Sequence, residues 1–536
     1  MAAADSPQVR AANVCANCKA RKKRCDKSLP RCRYCAEHDV PCVYRLPNPS
    51  LRHRSLGVTS DLDALMGSRS QDTIRSSVRS LPTVNSVGGS TLLLYDSLMP
   101  LPLSDQIRCD ALAELPPTAE ATLCIQAHRL LVMTMGMYLD GISVRYFQTI
   151  HFFIPIVSRR RFHAHLISFG VTPKADFALV LLCMGLLTYT ADSPENTEPK
   201  GRLSVDAMTF YVTTKSLLAQ AQALCAPTVH LIQAGVLLAV YEYAHGHLEQ
   251  AFVSIGSCAR MAYSARLHNP SSPSATATPL PQTDWVSREE ETITWWGILI
   301  CERTILCELA VVDQPLGSVM PARDSQLPIE VSTLDQGNWT APPSSSVTIE
   351  CLSYPTVGAF GRTAQAAWLL DGVLQGLSMR DPDRKRAHLH ETDRTLQSFL
   401  AIMMQQCGGN PGVYCVAIAL SIRGLFLLHW HLLDQRLTDC SEDQSAPNSH
   451  AALDTITKIV IDIAGIHEHV PFSEIDGLPP SCVYIMRAAL KHIHHSPSIL
   501  LDEELQRATL RLRNSLQHFE LRWGASTDVS GSASAF

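Results

Sequence analysis

The sequence predicts a small cysteine-rich module at the N-terminus, followed by a disordered linker and a large all-α domain. Three observations support this fold class. Six of the eighteen cysteines lie within residues 15–42. Residues 47–120 are rich in Ser, Pro, Gly and Thr and show little sustained periodicity, which is typical of a linker. From residue 121 onward, apolar residues recur every three or four positions, the period of a helix with one buried face.

The composition excludes a wholly disordered chain, and the charges are distributed unevenly along the sequence. Hydrophobic residues make up 46% and charged residues 18% of the 536 residues, so a large core can be buried. The formal net charge is −5, yet residues 1–54 contain twelve Lys and Arg against four Asp and Glu, and the remainder contains 33 against 46. A basic head on an acidic body indicates a nucleic-acid partner or a targeting arm.

The sequence is expected to be that of a soluble intracellular protein that makes no membrane contact. The first fifteen residues contain no apolar segment of the kind found in signal peptides. Without export, disulfides are not expected, and the twelve scattered cysteines are predicted to be small buried apolar residues. The longest apolar runs, residues 177–189 and 231–241, are shorter than the roughly 18 residues that a membrane helix needs.

The spacing of the N-terminal cysteines predicts a metal centre. Two copies of the pattern C-x2-C-x6-C are joined by six residues, and they contain Cys15, Cys18, Cys25, Cys32, Cys35 and Cys42. Structural zinc takes four ligands, so six thiolates can satisfy two zinc ions only if two of them bridge. The first cysteine of each copy, Cys15 and Cys32, is the simplest choice of bridge. A single four-cysteine zinc site with two spare thiols and a metal-free module are the alternatives.

The two copies differ in charge between their second and third cysteines. The first copy carries five cations in six residues, namely Lys19, Arg21, Lys22, Lys23 and Arg24. The equivalent segment of the second copy, residues 36–41, is net acidic. Only the first segment is therefore suited to face a phosphate backbone and the guanine edges of the major groove. A solvated face or a nuclear-import signal is the alternative explanation for the same cations.

This pattern closely resembles the fungal binuclear zinc cluster transcription factors, because the cysteine spacing, the basic segment and Pro30 in the connecting loop all match. The resemblance implies two Zn²⁺ ions held by all six cysteines, with Cys15 and Cys32 as bridges. It also implies that Lys22, together with its basic neighbours, contacts a CGG-type triplet in double-stranded DNA. A nuclear location and regulation of RNA polymerase II genes follow from the same resemblance.

The body of the chain resembles the helical regulatory domain of the same family. The matching stretches are Tyr146 to Phe162, Tyr241 to His268, and Trp295-Trp296 through Leu327-Pro328. Departures from the family pattern occur at Ala265-Arg266 and at Glu302. The C-terminal third carries no comparable motif.

These observations divide the chain into five predicted regions. They are a disordered basic arm at 1–14, the zinc cluster at 15–46, the linker at 47–120, the all-α regulatory domain at 121–520 and a disordered tail at 521–536. Within the body, helices are predicted over residues 124–138, 177–189, 230–243, 249–266, 289–312, 363–377, 414–433 and 451–467. The face formed by Ile293, Trp296, Ile300, Cys307 and Ala310 is expected to be buried. Loops are predicted at 269–284 and 437–449.

The histidines, tryptophans and arginine that stand out in the body are predicted to have structural roles. His467, His469, His492, His494 and His495 are predicted to be surface or capping histidines rather than a second metal site. Trp295 and Trp296 are predicted to pack between helices. Arg303 shares an apolar face, so it is expected to be partly buried beside a carboxylate, with Glu242 proposed as its partner.

The sequence therefore predicts a sequence-specific DNA-binding transcription regulator, and the family resemblance implies that it controls a secondary-metabolite gene cluster. Its expected partners are DNA and the transcription machinery. No catalytic motif is found, so enzymatic activity is not expected. The alternative is a zinc-stabilised interaction module that acts as a corepressor or as a ligand-sensing regulator of another pathway.

The linker and the composition of the body lead to two further expectations, one about oligomeric state and one about an effector cavity. The linker lacks sustained heptads, so both a monomer and a homodimer held by the helical body remain open. A cavity for a small-molecule effector is expected between the helices, because the body is apolar and poor in charge.

Overall fold

The computed structural model forms two compact units, Met1–Val78 and Arg79–Phe536. The residues that it describes are 14, 18, 19, 21, 23–28, 31–38, 42, 118–135, 139–169, 173–189, 205–269, 285–309, 314–336, 347–407, 411–438, 445–495 and 502–524. The predicted basic arm, apart from Val14, and the linker up to residue 117 lie outside the described residues. So does most of the predicted loop at 269–284.

The first unit contains one short helix in its described part, α1 at Arg33–Glu37. This helix begins directly after Cys32 and carries Cys35 on its buried side. A helical turn also includes Cys18 and Lys19, where the Lys23 amide donates to the Cys18 carbonyl over 2.9 Å. Each of these two turns therefore starts at or next to a cysteine.

Helices are the regular elements of the second unit in its described residues, apart from one isolated bridge between Gln326 and Thr348, and loops and turns connect them. This confirms the predicted fold class. Its helices are α2 Ala119–Met135, α3 Leu139–Gln148, α4 Arg159–Phe169, α5 Ala175–Thr188, α6 Ala207–Leu224, α7 Val229–Ala244, α8 Leu248–Ser264, α9 Trp285–Leu306, α10 Val331–Gln336, α11 Ala359–Ser378, α12 Pro382–Gln406, α13 Cys415–Thr438, α14 Ser445–His467, α15 Cys482–His495 and α16 Asp502–Trp523.

The N-terminal half of this domain is built around α5 and α7. Both helices are apolar on every side and almost every residue of each is buried, as expected of helices at the centre of a bundle. Helix α7 packs most extensively against α5 and α8. A Cβ atom on Gly235 of α7 would lie only 2.5 Å from the Cys258 Sγ of α8, so the close approach of these two helices requires glycine there.

The C-terminal half is organised in the same way around α13. This helix packs against α11, α12, α14 and α15, and its core continues into that of the N-terminal half. Residues Gly412–Gln435 form the one stretch, among the described residues, that is long and apolar enough to cross a membrane. Some 67% of its most apolar window is buried inside the domain, so here it serves as a core helix.

Side-chain caps fix where several helices begin. Asp206 accepts a hydrogen bond from the Thr209 amide at the start of α6, and Thr228 accepts one from the Leu231 amide at the start of α7. Asp381 caps α12, which has Pro382 in its first turn. Such caps satisfy amides that would otherwise lack partners in the first helical turn.

Arg303 and Glu242, two buried charges of this domain, each have a partner of opposite charge, but the pair predicted between them was wrong. Arg303 donates to Asp371 of α11 and to its helical neighbour Glu302, with both distances 2.9 Å. Glu242, the partner expected from the sequence, instead accepts hydrogen bonds from Lys215 and Tyr211 of α6. The error arose because the facing helix could not be identified from the spacing along the chain.

Several predicted boundaries also differ from the observed ones. The stretch 124–138 is divided, since α2 ends at Met135 and α3 begins at Leu139. Helices α13 and α14 extend into the predicted loop 437–449 and leave only residues 439–444 between them, outside the described part. Helix α16 runs three residues into the predicted tail, because Trp523 is almost fully buried against the core.

Residue-level predictions for the body were partly correct. Trp295 and Trp296 are buried between helices, and Ile293, Ile300 and Cys307 share their core; Ala310 lies outside the described residues. His469, His494 and His495 are exposed, as expected. His467 and His492 are buried, which corrects the prediction for these two: their rings contact Ser515 at 2.9 Å and Asp454 at 2.8 Å, respectively.

Candidate metal centre and nucleic-acid interface

Three cysteine sulfurs converge at the centre of the N-terminal unit. Cys18, Cys32 and Cys35 are fully buried, and their Sγ atoms all lie within 4.8 Å of one another. The Cys18 Sγ lies 3.6 Å from that of Cys32 and 3.9 Å from that of Cys35. Two thiolates bound tetrahedrally to one zinc ion at about 2.3 Å are separated by about 3.8 Å, so the Cys18 and Cys32 sulfurs are close enough to share a metal ion.

Two further predicted ligands lie at the edge of this sulfur cluster. Cys25 and Cys42 are half-buried and pack against it. The Cys32 amide donates to the Cys42 sulfur over 3.2 Å, which favours a thiolate at that position. Cys25 Sγ and an Asp26 carboxylate oxygen lie within 4.8 Å of the Cys32 sulfur. Cys15, the other predicted bridge, lies outside the described residues.

Asp26 holds the two halves of the module together. Its carboxylate accepts a 3.0 Å hydrogen bond from the Arg33 amide at the start of α1 and a 2.6 Å bond from the Ser28 hydroxyl. The Ser28 bond and then the Arg33 amide lower the pKa of Asp26. Lys27, with φ of 63°, adopts the left-handed conformation that turns the chain between these partners. Sequence reasoning missed this role, although an acidic residue directly after Cys25 offered a signal.

The basic segment of the first copy faces solvent wherever the structure describes it. Lys19, Arg21, Lys23 and Arg24 are all exposed. Lys22, the residue predicted to contact bases, lies outside the described residues. Four exposed cations beside a buried sulfur cluster form a surface suited to DNA phosphates and guanine edges.

The second copy presents a different surface. Arg33 donates to Glu37 over 2.8 Å, so part of its positive charge is neutralised within α1. Glu37 and His38 are exposed. The charge difference predicted between the two segments is therefore present where the structure describes them, because residues 36–38 of the second copy contain Glu37 and no lysine or arginine.

Two family descriptions match this architecture. The fungal Zn(2)-Cys(6) binuclear cluster domain matches residues 13–50. The fungal specific transcription factor domain matches residues 144–310, which include helices α4 to α9. The first match contains all six cysteines and the basic segment, and the second lies within the helical unit.

The chain is also similar to individual transcription factors. The transcription factor BOA15 of Botryotinia fuckeliana is 32% identical over 155 residues, which are 28% of this chain and 82% of that protein. The chain belongs to the fungal binuclear zinc cluster transcription factors. The azaphilone cluster-specific transcription factor azaR of Aspergillus niger is 25% identical over 69% of this chain and 75% of its own length. The tropolone cluster transcription factor tropK of Talaromyces stipitatus is 23% identical over 53% of each.

As a member of this family, the protein is a DNA-binding transcription regulator with a zinc-binding cluster domain. Both matching domains belong to transcription factors rather than to an enzyme family. The buried sulfurs and the exposed cations thus lie in the domain that binds zinc and DNA.

The regulatory domain contains a cleft of about 520 Å³. This volume exceeds the roughly 300 Å³ expected of a small-molecule site, in agreement with the cavity predicted from the sequence. Its wall includes Phe147, His151, Phe153, Arg159, Glu330, Asp335, Phe360, Cys415 and Val416. The cleft therefore combines an aromatic wall with a few ionisable groups, a combination common in ligand sites.

Two ionisable groups of the cleft, His151 and Glu330, have perturbed pKa values. Burial lowers the pKa of His151 to about 3, with a smaller contribution from Arg159, so this imidazole is neutral near pH 7. Its Nδ1 atom is buried without a hydrogen-bond partner in the described structure. Burial raises the pKa of Glu330, although its carboxylate accepts a 2.9 Å bond from the Gly361 amide. His151 therefore contributes a neutral imidazole to the wall of the cleft.

Proposed function

We propose that this regulator recognises CGG-type triplets through the basic segment of its first cysteine copy. The observation that carries the proposal is the one-sided module, in which exposed cations of the first copy adjoin a sulfur cluster that fixes their backbone. Lysine or arginine donating to guanine O6 and N7 is the commonest specific contact in the major groove. Lys22 is assigned to the base edge, and Lys19, Arg21, Lys23 and Arg24 to bases or phosphates around it.

The proposed centre holds two Zn²⁺ ions on all six cysteines, with Cys15 and Cys32 as bridges. Six thiolates reach eight coordination positions only with two bridges, so one ion would be held by Cys15, Cys18, Cys25 and Cys32 and the other by Cys32, Cys35, Cys42 and Cys15. The 3.6 Å between the Cys18 and Cys32 sulfurs fits two ligands of the first ion. Under this arrangement, Cys15→Ala should release both metals, whereas Cys18→Ala should release one. Elemental analysis of each variant distinguishes bridging from terminal ligands, and a single zinc in the unmodified cluster would contradict the proposal.

The proposed domain division follows from the same organisation. The zinc cluster at 15–46 would bind DNA in the nucleus, and the helical domain at about 121–520 would regulate it and contact the transcription machinery. Both a monomer and a homodimer held by the helical domain fit the sequence. The spacing of triplets in selected DNA distinguishes them, because a dimer enriches paired half-sites.

The proposed targets are the genes of one secondary-metabolite biosynthetic cluster. Two similar proteins, azaR and tropK, are named for the azaphilone and tropolone clusters. Genome-wide occupancy mapping of the protein should yield peaks in the promoters of neighbouring biosynthetic genes. Peaks scattered over unrelated housekeeping promoters would contradict a cluster-specific role.

Selection of binding sites from random double-stranded DNA tests the recognition step itself. The full chain should enrich a CGG-type triplet. Arg33→Ala removes one positive charge from the second copy, as Lys22→Ala does from the first, and this control should still enrich the same triplet. Failure of the full chain to enrich any sequence would favour the alternative, a zinc-stabilised interaction module that acts as a corepressor or regulates another pathway. That alternative predicts retained partner binding without DNA binding.

Effector sensing is a second proposed function, favoured by the 520 Å³ cleft and the neutral His151 imidazole in its wall. The effector would be a small molecule with an apolar body and one hydrogen-bond donor directed at His151. Thermal-shift screening of the full chain against pathway intermediates should find a compound whose stabilisation is lost in His151→Phe. A compound that stabilises both proteins equally would place its site elsewhere.

A further inference from the structure

A second cluster of soft ligands lies in the C-terminal third, far along the chain from the zinc cluster. Cys415, His467 and Cys482 place one ligand atom each within 4.8 Å of one another. Cys482 and His467 are almost fully buried, and Cys415 is partly buried. These residues lie outside the region that matches the regulatory domain, in the part of the chain where the sequence offered no motif.

The sulfur geometry matches that of the N-terminal cluster. The Cys415 and Cys482 Sγ atoms are 3.5 Å apart, against 3.6 and 3.9 Å for the cysteine pairs of the zinc domain. A covalent disulfide would bring the sulfurs to about 2.05 Å. The observed separation is close to the edge of a zinc tetrahedron, about 3.8 Å.

The fold supplies these ligands from helix ends. Cys415 is the first residue of α13 and Cys482 the first of α15, where the helix dipole stabilises thiolates. His467 is the last residue of α14, and its Nδ1 contacts the buried Ser515 hydroxyl of α16 at 2.9 Å. Fixing one ring nitrogen in this way orients the other, as occurs in metal-binding histidines.

The surrounding charges are compatible with a metal ion. The buried cation Arg423 donates to Glu308 over 2.8 Å and to the carbonyl of Ser481, the residue before Cys482, over 3.3 Å, so its charge is already matched. Two thiolates and a neutral imidazole around Zn²⁺ give a site with no net charge. Cys415 also lines the 520 Å³ cleft, which leaves a fourth coordination position open toward that cleft.

We infer that Cys415, His467 Nε2 and Cys482 bind one Zn²⁺ ion in addition to the zinc of the DNA-binding cluster. The ion would join the ends of α13, α14 and α15 at the wall of the cleft. A three-ligand Cys2His set with an open fourth position is a known zinc arrangement in other proteins, and water or an effector's donor atom would complete it.

Metal analysis of the full chain tests this site by comparing the zinc content of the unmodified chain with that of each variant. The comparison does not depend on how many ions the N-terminal cluster holds. The chain is purified under reducing conditions with zinc present, and zinc is measured per chain. Cys482→Ala and His467→Gln should each lower the count by one ion relative to the unmodified chain. Cys183→Ala, which removes another buried thiol, should leave it unchanged. DNA binding should persist in all three variants, which shows that the lost ion did not come from the cluster.

A second measurement on the unmodified chain does not depend on whether the variants fold. Cys415 should resist alkylation by N-ethylmaleimide in the zinc-loaded protein and become reactive after chelation, while exposed Cys351 reacts in both states. Equal zinc counts in all proteins, together with equal alkylation of Cys415 with and without zinc, would overturn the inference. A Cys415–Cys482 disulfide found by peptide mapping of the freshly purified protein would also overturn it, in favour of a redox pair.

Discussion

The zinc module and the helical domain of this regulator are stabilised in different ways. In the described part of the module, the fully buried side chains are three cysteines, so its core is a cluster of sulfurs. The helical domain buries apolar side chains along most of its helices in one continuous core. Metal binding therefore supplies the folding free energy of the module, whereas burial of apolar surface supplies that of the domain.

The two regions also use charge differently. Described cations of the first cysteine copy are exposed, which leaves them available to DNA. Arg303, Arg362 and Arg423 of the domain are almost fully buried and are held by hydrogen bonds to carboxylates, carbonyls and amides. Cations thus bind a partner in one region and position helices in the other.

Removal of zinc by a chelator should have the most clearly different effects on the two regions. Removing zinc from the full chain is expected to reduce its affinity for CGG-containing DNA to the nonspecific level, at least about 10³-fold weaker. The helical signal in circular dichroism should be almost unchanged, because the domain's core contains no cluster cysteine. Cys32→Ala should reproduce the effect of chelation, and Cys183→Ala should not. A large loss of helicity in Cys32→Ala, which leaves the proposed Cys415–His467–Cys482 site intact, would show that the two regions do not fold independently.

Breaking a buried charge pair should have the largest effect within the domain. Asp371→Ala removes one of the two carboxylates that face Arg303 and leaves Glu302 together with hydrogen bonds to Ser318. We expect a loss of about 3 kcal/mol in the free energy of unfolding. The solvent-exposed pair of Arg386 and Asp383, 4.0 Å apart, is the control. Arg386→Ala should change stability by less than about 0.5 kcal/mol, measured for both variants by urea unfolding. Equal effects would contradict the role assigned to the buried pair.

Replacing glycine by alanine should disturb helix packing at Gly235 but not at Gly256. A Cβ at Gly235 would overlap the Cys258 sulfur, so Gly235→Ala is expected to cost about 1–3 kcal/mol in unfolding free energy. A Cβ at Gly256, on the neighbouring helix α8, meets nothing within 4 Å. Gly256→Ala should therefore be neutral or stabilise the helix by about 0.5–1 kcal/mol. Adding Cys258→Ala to Gly235→Ala should recover part of the loss.

The sequence predicted what depends on local spacing and missed what depends on distant contacts. Cysteine spacing identified the candidate zinc ligands, and apolar periodicity located most of the long helices. The partner of Arg303 lies on α11, some 68 positions away, and no periodic signal connects the two. Cys415, His467 and Cys482 are likewise separated by dozens of residues and become neighbours only when three helix ends meet. Helix ends were misplaced where a buried residue such as Trp523 extends a helix beyond its apolar repeat.

The central claim is that one lysine of the basic segment recognises the DNA base edge, and Lys22→Ala tests it most directly. Equilibrium binding of the full chain to CGG-containing DNA and to each single-base variant of the triplet should be measured over a range of salt concentrations. The unmodified chain should show a log–log salt slope of roughly −4 to −5, as expected for four to six phosphate contacts.

Lys22→Ala is predicted to weaken binding by about 1–3 kcal/mol and to flatten the preference among triplets, with zinc content unchanged. Arg10→Ala, outside the cluster, should weaken binding slightly and equally for all sequences, as expected for a phosphate contact. If Lys22→Ala kept full triplet discrimination and changed only the salt slope, Lys22 would be a phosphate contact. Base recognition would then have to be assigned to Lys23 or Arg21.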